Sequence, residues 1–507
     1  MFDNSYEELH RSLAIATSNC FATHTTTETD ETGAITYVYS DSDRDQTDAV
    51  LIGLIKEAID KTEQKRVGVH KSNYADMIKW GNDDINNPKY NESKHSYLNL
   101  FNRYSGQVPI FARKTLSKRF DHKVNNKINN DFFSEIIDDK VSFTMGKPPV
   151  YIVTDGDELI REELTKFIDY NNLGAFDRDT FLISSICGVA YRVYTPAYNK
   201  DEMALEIVNI APWNVIFFQE TEYIEAVAII LGESNKEKIA TVFYNGMSLS
   251  INLKSNTVAA QQTAFKMPVV EYTNNNLKIS DCDKVLELID AYDRLISDTS
   301  NELEQMRLAY LTISGGQKLT REEAKDFKTQ LQDAGVLHLP DGVTANFLIK
   351  TVDMTSVLSF LTVIENNIYR FSKSINYANS KFTGGQLTGI ALKQATINLR
   401  NKCLTSWLSF DDANYYQWQI LGEFVQAKYA MITEPNFKIE GYIKLNIPTD
   451  NQEIADTMSA FKGNLSTKTI LRLAELDLDV DQEYEEMVRE GLVEENKENP
   501  RTGFVNE

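Results

Sequence analysis

Cysteine is scarce: Cys20, Cys187, Cys282 and Cys403 are the only four in 507 residues, and they are scattered without motif spacing. That leaves no disulfide framework and no zinc ribbon, and points to reduced thiols in a cytoplasmic folding environment. The six histidines are isolated, none standing at metal-ligand spacing from a Cys or Glu. No apolar run reaches about 18 residues, so no membrane-spanning helix is expected. The N-terminus lacks a basic segment followed by an apolar one, so no signal peptide is expected either. Positive charge is outnumbered, with 52 Lys and Arg against 74 Asp and Glu and a net charge of −22. This excludes a tight, backbone-gripping nucleic-acid binder, though not DNA that passes close by without sticking.

Catalytic signatures are missing as well. The chain has no Gly-x-Ser-x-Gly and no kinase set. Gly315-Gly-Gln-Lys-Leu-Thr320 lacks phosphate-loop spacing, and Asp41-Ser-Asp-Arg-Asp45 begins like a calcium loop but runs into Gln46 and Ile52. Those two positions demand Gly and Glu in a working calcium loop. Carboxylate pairs such as Asp83-Asp84 and Asp138-Asp139 are what an acidic surface yields by chance. The residues themselves therefore predict a protein that is not an enzyme and needs no metal or cofactor.

What is present is ordinary globular material: 42% hydrophobic and 25% charged residues, in a chain long enough for about three to four domain-sized units. The organising stretch runs from about Asp353 to Ile432. Val357, Leu361, Ile364, Ile368, Phe371 and Ile375 step by four and three, the seam of a helix. A second, more aromatic helix begins near Ile390 with Leu392, Ala395, Leu399, Cys403, Trp407, Tyr415, Trp418, Leu421 and Phe424. Paired glycines within Asn376–Gly389 forbid a helix between them.

Before this hairpin the order is as follows. Residues 1–45 are polar and threonine-rich and read as a mobile arm or irregular lead-in. Leu51, Leu54, Ile55, Ala58 and Ile59 predict a helix. A basic cluster (Arg113, Lys114, Lys118, Arg119, His122, Lys123, Lys127) follows and reads first as a solvated helix face. A helix from about Asn130 is closed by Gly146 and two prolines. Strand Pro149–Thr154, helices near Leu159–Ile168 and Phe181–Ile186, and strands at Ala190–Tyr194, Ala204–Ile210, Asn214–Phe218, Ala226–Leu231 and Ala240–Tyr244 predict a mixed sheet with helices on it. Ser280-Asp-Cys-Asp283 predicts the start of a helix reaching about Tyr310. A small α/β unit covers 311–352, with strands Leu311–Ser314, Val336–Leu339 and Asn346–Lys350 and a helix from Thr320 to Gly335. After the hairpin come a strand at Asn436–Asn446, helices over 450–490 and a charged tail.

This order, and several segments within it, resembles the portal proteins of tailed bacteriophages. The resemblance is carried by Asn125–Lys140 running to Gly146-Lys-Pro-Pro149, by Gly188-Val-Ala-Tyr-Arg-Val-Tyr194 with Ile210-Ala-Pro-Trp213, and by Val269–Asn274 with Ile289–Asp298. Phe382-Thr-Gly and Leu387-Thr-Gly-Ile-Ala-Leu-Lys393 complete it. Thr388 stands where the family usually has serine, and Ile375-Asn376 where a proline is often found. Both departures bear on loop geometry.

The resemblance implies an α+β portal fold assembled as a dodecameric ring. Its parts would be an arm (1–45), a wing (46–279), stem helices (280–310 and 353–375), a clip (311–352) and a tunnel loop (376–389). A long wing helix with its return strand (390–449), a crown (450–493) and a disordered tail (494–507) would complete it. The function implied is a channel at one capsid vertex for DNA packaging and ejection, in the virion and, during assembly, in the host cytoplasm. Expected partners are the terminase large subunit, scaffold and major capsid proteins, a head-completion or tail adaptor protein, and double-stranded DNA, with no membrane. Channel positions would be Arg370, Lys373, Asn376, Asn379, Lys381, Thr383 and Gln386. The terminase-facing positions would be Lys318, Arg321, Glu322, Lys325 and Lys328, and ring packing would fall to Val357, Leu361, Ile364, Ile368 and Phe371. The alternative is another non-enzymatic phage capsid or assembly protein.

Overall fold

In a computed structural model of the chain, the residues described are 26–29, 35–38, 51–59, 96–113, 125–199, 202–219, 226–234, 237–305, 310–315, 344–348, 353–378, 389–431 and 435–446, with scattered positions between 320 and 329 and between 433 and 490. They divide into two units. The larger comprises 1–376 with 398–445, and the smaller 377–397 with 446–507.

The first strands fall where an irregular lead-in is expected. β1 (Thr26–Thr29) and β2 (Ile35–Val38) form an antiparallel hairpin at one edge of a seven-stranded sheet. The threonines that make this stretch look merely polar are β-branched and favour a strand. Helix α1 (residues 51–59) buries Leu51, Ile52 and Ile55 against that sheet, in a cluster with Ile229, Val242, Leu249 and Ile251.

The wall of the larger unit comes next. α2 (Tyr97–Tyr104) and α3 (Phe132–Met145) are followed by β3 (Val150–Asp155), then α4 (Glu158–Asn171) and α5 (Leu173–Cys187). Asn172 ends α4 in the left-handed region at φ 49°, a turn that asparagine tolerates and that redirects the chain straight into α5. Gly188 ends α5 at φ 89°. A Cβ there would lie 2.5 Å from the Lys278 carbonyl oxygen, so only glycine lets the two segments touch.

β4 (Val189–Asn199) and β5 (Glu202–Ile210) form a long hairpin, and β11 (Val269–Thr273) adds to the other side of β4. Between them β6 (Val215–Phe218), β7 (Val227–Ser234), β8 (Glu237–Tyr244), β9 (Met247–Asn252) and β10 (Val258–Gln262) run as an antiparallel meander closing on β2. Three of these strands, β9, β10 and β11, have no counterpart in the sequence reading. Met247, Leu249 and Ile251 are buried while Ser248 and Ser250 alternate with them. That alternation is the signature of a half-buried strand. Asn245 and Gly246, at φ 42° and 77°, make the tight β8–β9 turn that this dipeptide favours.

α6 (Leu286–Gln305) is shorter than the expected 280–310 helix. Ser280 and Asp283 do cap each other's segment, the Ser280 N–H donating to the Asp283 carboxylate at 2.9 Å, but 281–285 are turns and Tyr310 already belongs to a strand. β12 (Tyr310–Ser314) pairs with β13 (Thr344–Leu348). The expected strand Val336–Leu339, the end of the 320–335 helix and most of the crown and tail lie outside the described residues. α7 (Met354–Ser372) and the 40-residue α8 (Gly389–Lys428) flank the glycine-rich segment, and β14 (Lys438–Tyr442) pairs with β3. One core gathers Phe133 and Ile136 of α3, Phe181 of α5, Tyr194 of β4, Ile289 of α6, Ile368 of α7 and Phe410 and Leu421 of α8. Cys187, Cys282 and Cys403 are free and buried in this unit.

Candidate functional site: helix α7 and its root

α7 starts on a strong cap. Asp353 accepts hydrogen bonds from the N–H groups of Thr355 (3.0 Å) and Ser356 (3.3 Å). With the Ser356 hydroxyl, these bonds hold its carboxyl below the ordinary carboxylate range. The helix ends at Lys373, which takes the left-handed conformation at φ 56° and donates its N–H to the Arg370 and Tyr369 carbonyls.

At about 100° per residue, Leu361, Ile364 and Ile368 fall within roughly 60° of one another. All three are buried, and Ile364 and Ile368 belong to the chain's own core. Of the five residues expected to pack the ring, Ile364 and Ile368 pack into the chain's own core. The seam holds α7 to its own chain, Val357 lies at its half-buried end, and Phe371 is 50% exposed beside it. On α8, Leu399, Cys403, Trp407, Trp418, Leu421 and Phe424 are buried as expected, whereas Ala395 and Tyr415 are exposed.

Opposite the seam lie Ser359, Thr362, Asn366 and Arg370, all exposed and within about 80° of each other on the wheel. The Ser359 and Thr362 hydroxyls donate back to the Thr355 and Leu358 carbonyls at 2.8 and 2.9 Å. Their protons are therefore spent inside the helix. Glu365 is the helix's one acid, and it sits away from this face, accepting a hydrogen bond from Asn376 at 2.7 Å. In a chain of net charge −22, the result is a smooth polar strip free of carboxylates and ending in Arg370. Reading the seam alone misses Ser359, Thr362 and Asn366. Their signal is the same four-and-three spacing, half a turn away.

Of the other expected site residues, Lys373 is exposed at the helix end and Asn376 folds back onto Glu365. Glu322 and Lys325 are exposed. Asn379, Lys381, Thr383, Gln386, Lys318, Arg321 and Lys328 lie outside the described residues, as do Lys114 to Lys123 of the basic cluster. The two ends of that cluster are engaged within the chain, Arg113 with Asp298 at 2.6 Å and Lys127 with the Phe111 carbonyl at 2.5 Å.

The root of α7 is polar and buried. Tyr369 donates to Glu135 at 2.8 Å, and Lys402 of α8 donates to the Ser372 carbonyl at 3.0 Å. Lys402 also lies 3.4 Å from Asp281, which pairs with fully buried Lys140 at 2.7 Å. Burial pushes Asp281 up, but the two ammonium groups pull harder and leave its carboxyl below the ordinary range. Nearby Asp139 is pushed up to about 6, by burial first and then by Glu135 and Asp138. Its Oδ2 is buried without a hydrogen-bond partner. Among the described residues, no group of three or more His, Cys, Asp or Glu could hold a metal ion, and no helix is long and apolar enough to cross a membrane.

Known proteins agree with the resemblance drawn from sequence. The chain is 22% identical over 384 residues, 69% of its own length and 81% of the relative's, to a portal protein of Clostridium phage phiCD119. Its structure is distantly similar to a chain in the neck of a native GTA particle computed with C12 symmetry, with a TM-score of 0.41, 12% identity, and 69% and 91% of the two chains covered. A chain in the neck of an empty GTA particle computed with C6 symmetry gives 0.38, with the same identity and coverage. The family model described as phage portal protein, SPP1 Gp6-like, matches residues 83–497, so the chain belongs to that family of phage portal proteins.

Proposed function

We propose that this chain is the subunit of a closed ring, a dodecamer in the virion, that forms the channel at one capsid vertex through which double-stranded DNA is packaged and ejected. The ring assembles in the host cytoplasm and has no catalytic role of its own. It receives the terminase large subunit and later a head-completion or tail adaptor protein at the 311–352 clip, and it is set among scaffold and major capsid proteins.

Family membership is one support. The observation that carries the channel reading is the acid-free strip Ser359–Thr362–Asn366–Arg370 on an exposed helix of a strongly acidic chain. A surface passed by DNA must neither repel phosphates nor hold them. Carboxylates would repel, and each phosphate neutralised by a cation adds affinity and therefore drag. Spent hydroxyls and one guanidinium per turned-out face meet both demands. In this reading exposed Arg370 and Lys373 would guide the duplex, with Lys381 the candidate in the tunnel loop.

Negative-stain electron microscopy of the purified chain, with subunits counted by class averaging, tests this. Closed rings with a hole of about 20 Å or more, enough for a duplex by its groove dimensions, are expected. Shells or filaments would overturn the reading.

A further inference from the structure

Helix α7 carries more apolar surface than its own chain covers. With Phe360 as origin, the buried seam is centred near +70° on the helical wheel, Phe360, Val363 and Phe371 lie between about −60° and +20°, and Leu358 lies near +160°. Apolar side chains therefore flank the seam on both sides, and the larger ones are exposed: Phe360 57%, Val363 54% and Phe371 50% on one flank, Leu358 57% on the other. The flanks are unlike. The first bears two aromatic rings, with exposed Arg370 at its outer margin. The second bears Leu358 and half-buried Met354, with half-buried Glu365 between them on the wheel.

Two unlike surfaces on either side of one element are what a head-to-tail ring requires, because each subunit meets its two neighbours through different faces. Resting on the ring reading above, we propose that α7 stands between two copies of itself, Leu358 of one copy packing beside Phe360 and Val363 of the next. Register agrees. In a closed ring, equivalent residues stand at equal heights, and Leu358 and Phe360 differ by only about 3 Å of helical rise. Charge agrees too, since Glu365 and Arg370 bring opposite signs to the two sides of the junction. A flank meeting its own copy would instead set like charges together. Ser359, Thr362 and Asn366, opposite the seam, stay uncovered in this arrangement, with Arg370 at the border between strip and junction, so the contact that closes the ring leaves most of the strip free.

Two variants of the full-length chain test the pairing: Phe360→Asp with Val363→Asp, and Leu358→Asp. The replaced side chains are exposed, so both variants are expected to melt as the wild type does. Mass photometry is expected to show closed rings for the wild type and single chains for each variant. Each variant keeps one working flank, so an equimolar mixture can make one junction and no more. It is expected to show at least ten-fold more two-chain complexes than either variant alone. Variants that still close rings, or a mixture that stays single-chain, overturn the pairing while wild-type rings leave the ring reading intact. A wild type that forms no ring overturns the ring reading itself.

Discussion

Asp139 is a carboxylate with a protonation problem. Its neighbours Glu135 and Asp138 are acidic, its Oδ2 has no hydrogen-bond partner, and its pKa is raised to about 6. Between about pH 4 and pH 6 the folded chain keeps a proton there that the unfolded chain has released. Stability contributed at this site therefore falls as pH rises through that window, and the full cost is present above it. Asp139→Asn is expected to stabilise the chain by about 1 kcal/mol at pH 7.5, after discounting for the solvent that still reaches the side chain, and by almost nothing near pH 4. Urea unfolding at the two pH values measures this, and equal shifts at both would refute it. Sequence offered Asp138-Asp139 only as a surface pair. Asp138 fits that reading, being exposed and taking the Tyr104 hydroxyl at 2.8 Å. Asp139 does not, because the fold turns it toward the root of α7.

The larger unit's elements are joined by a polar knot as well as by apolar packing. Arg192 of β4, fully buried, donates to Asp177 (2.8 Å) and Thr180 (2.9 Å) of α5, to Tyr272 of β11 (3.2 Å) and to Gln417 of α8 (3.0 Å). Tyr151 of β3 donates to the other oxygen of Asp177 at 2.7 Å. Burial pushes the Asp177 carboxyl up against the pull of Arg192, so the pair is held together by geometry that leaves few bonds unmade. Arg192→Leu strands a buried carboxylate and is expected to cost about 3–5 kcal/mol, read as a lower urea midpoint. Adding Asp177→Leu should recover most of that loss. If the double variant is no more stable than the single, the stranded charge is not the cause. The same knot explains why α8 tolerates Asn414 and Gln417 in its buried face, which breaks the apolar pattern that sequence periodicity looks for.

For the whole molecule, charge sets the behaviour. The proposed ring would repeat each exposed side chain once per subunit, so one new cation on the α7 strip would become a ring of cations. If the strip lines a channel as proposed, Asn366→Lys is expected to make assembled rings hold a short DNA duplex at least about ten-fold more tightly at 0.15 M salt, with a steeper salt dependence, because the added lysines would neutralise phosphates and release their condensed counterions into solution. Fluorescence anisotropy across a salt series measures it. Unchanged affinity would mean that the strip does not face DNA.

Periodicity was enough to find α7 and α8, because each buries a largely apolar face at helical spacing, interrupted on α8 by polar residues such as Asn414 and Gln417. Residue order was enough to recognise the family, since the segments from Asn125 to Lys393 keep their sequence along the chain. Tertiary structure decided what spacing cannot: which flank of a helix its own chain covers. An a/d pattern such as Val357–Phe371 records only that something apolar is opposite, and for Ile364 and Ile368 that something is the same chain's core. Strands β9 to β11 were lost for a related reason. The serines of β9 and the alanines and glutamines of β10 dilute their apolar signal, β11 is only five residues long, and it is pairing with β8, β2 and β4 that makes them strands. The Arg192 knot, drawn from residues up to 266 positions apart between Tyr151 and Gln417, exists only once the fold has brought five elements together.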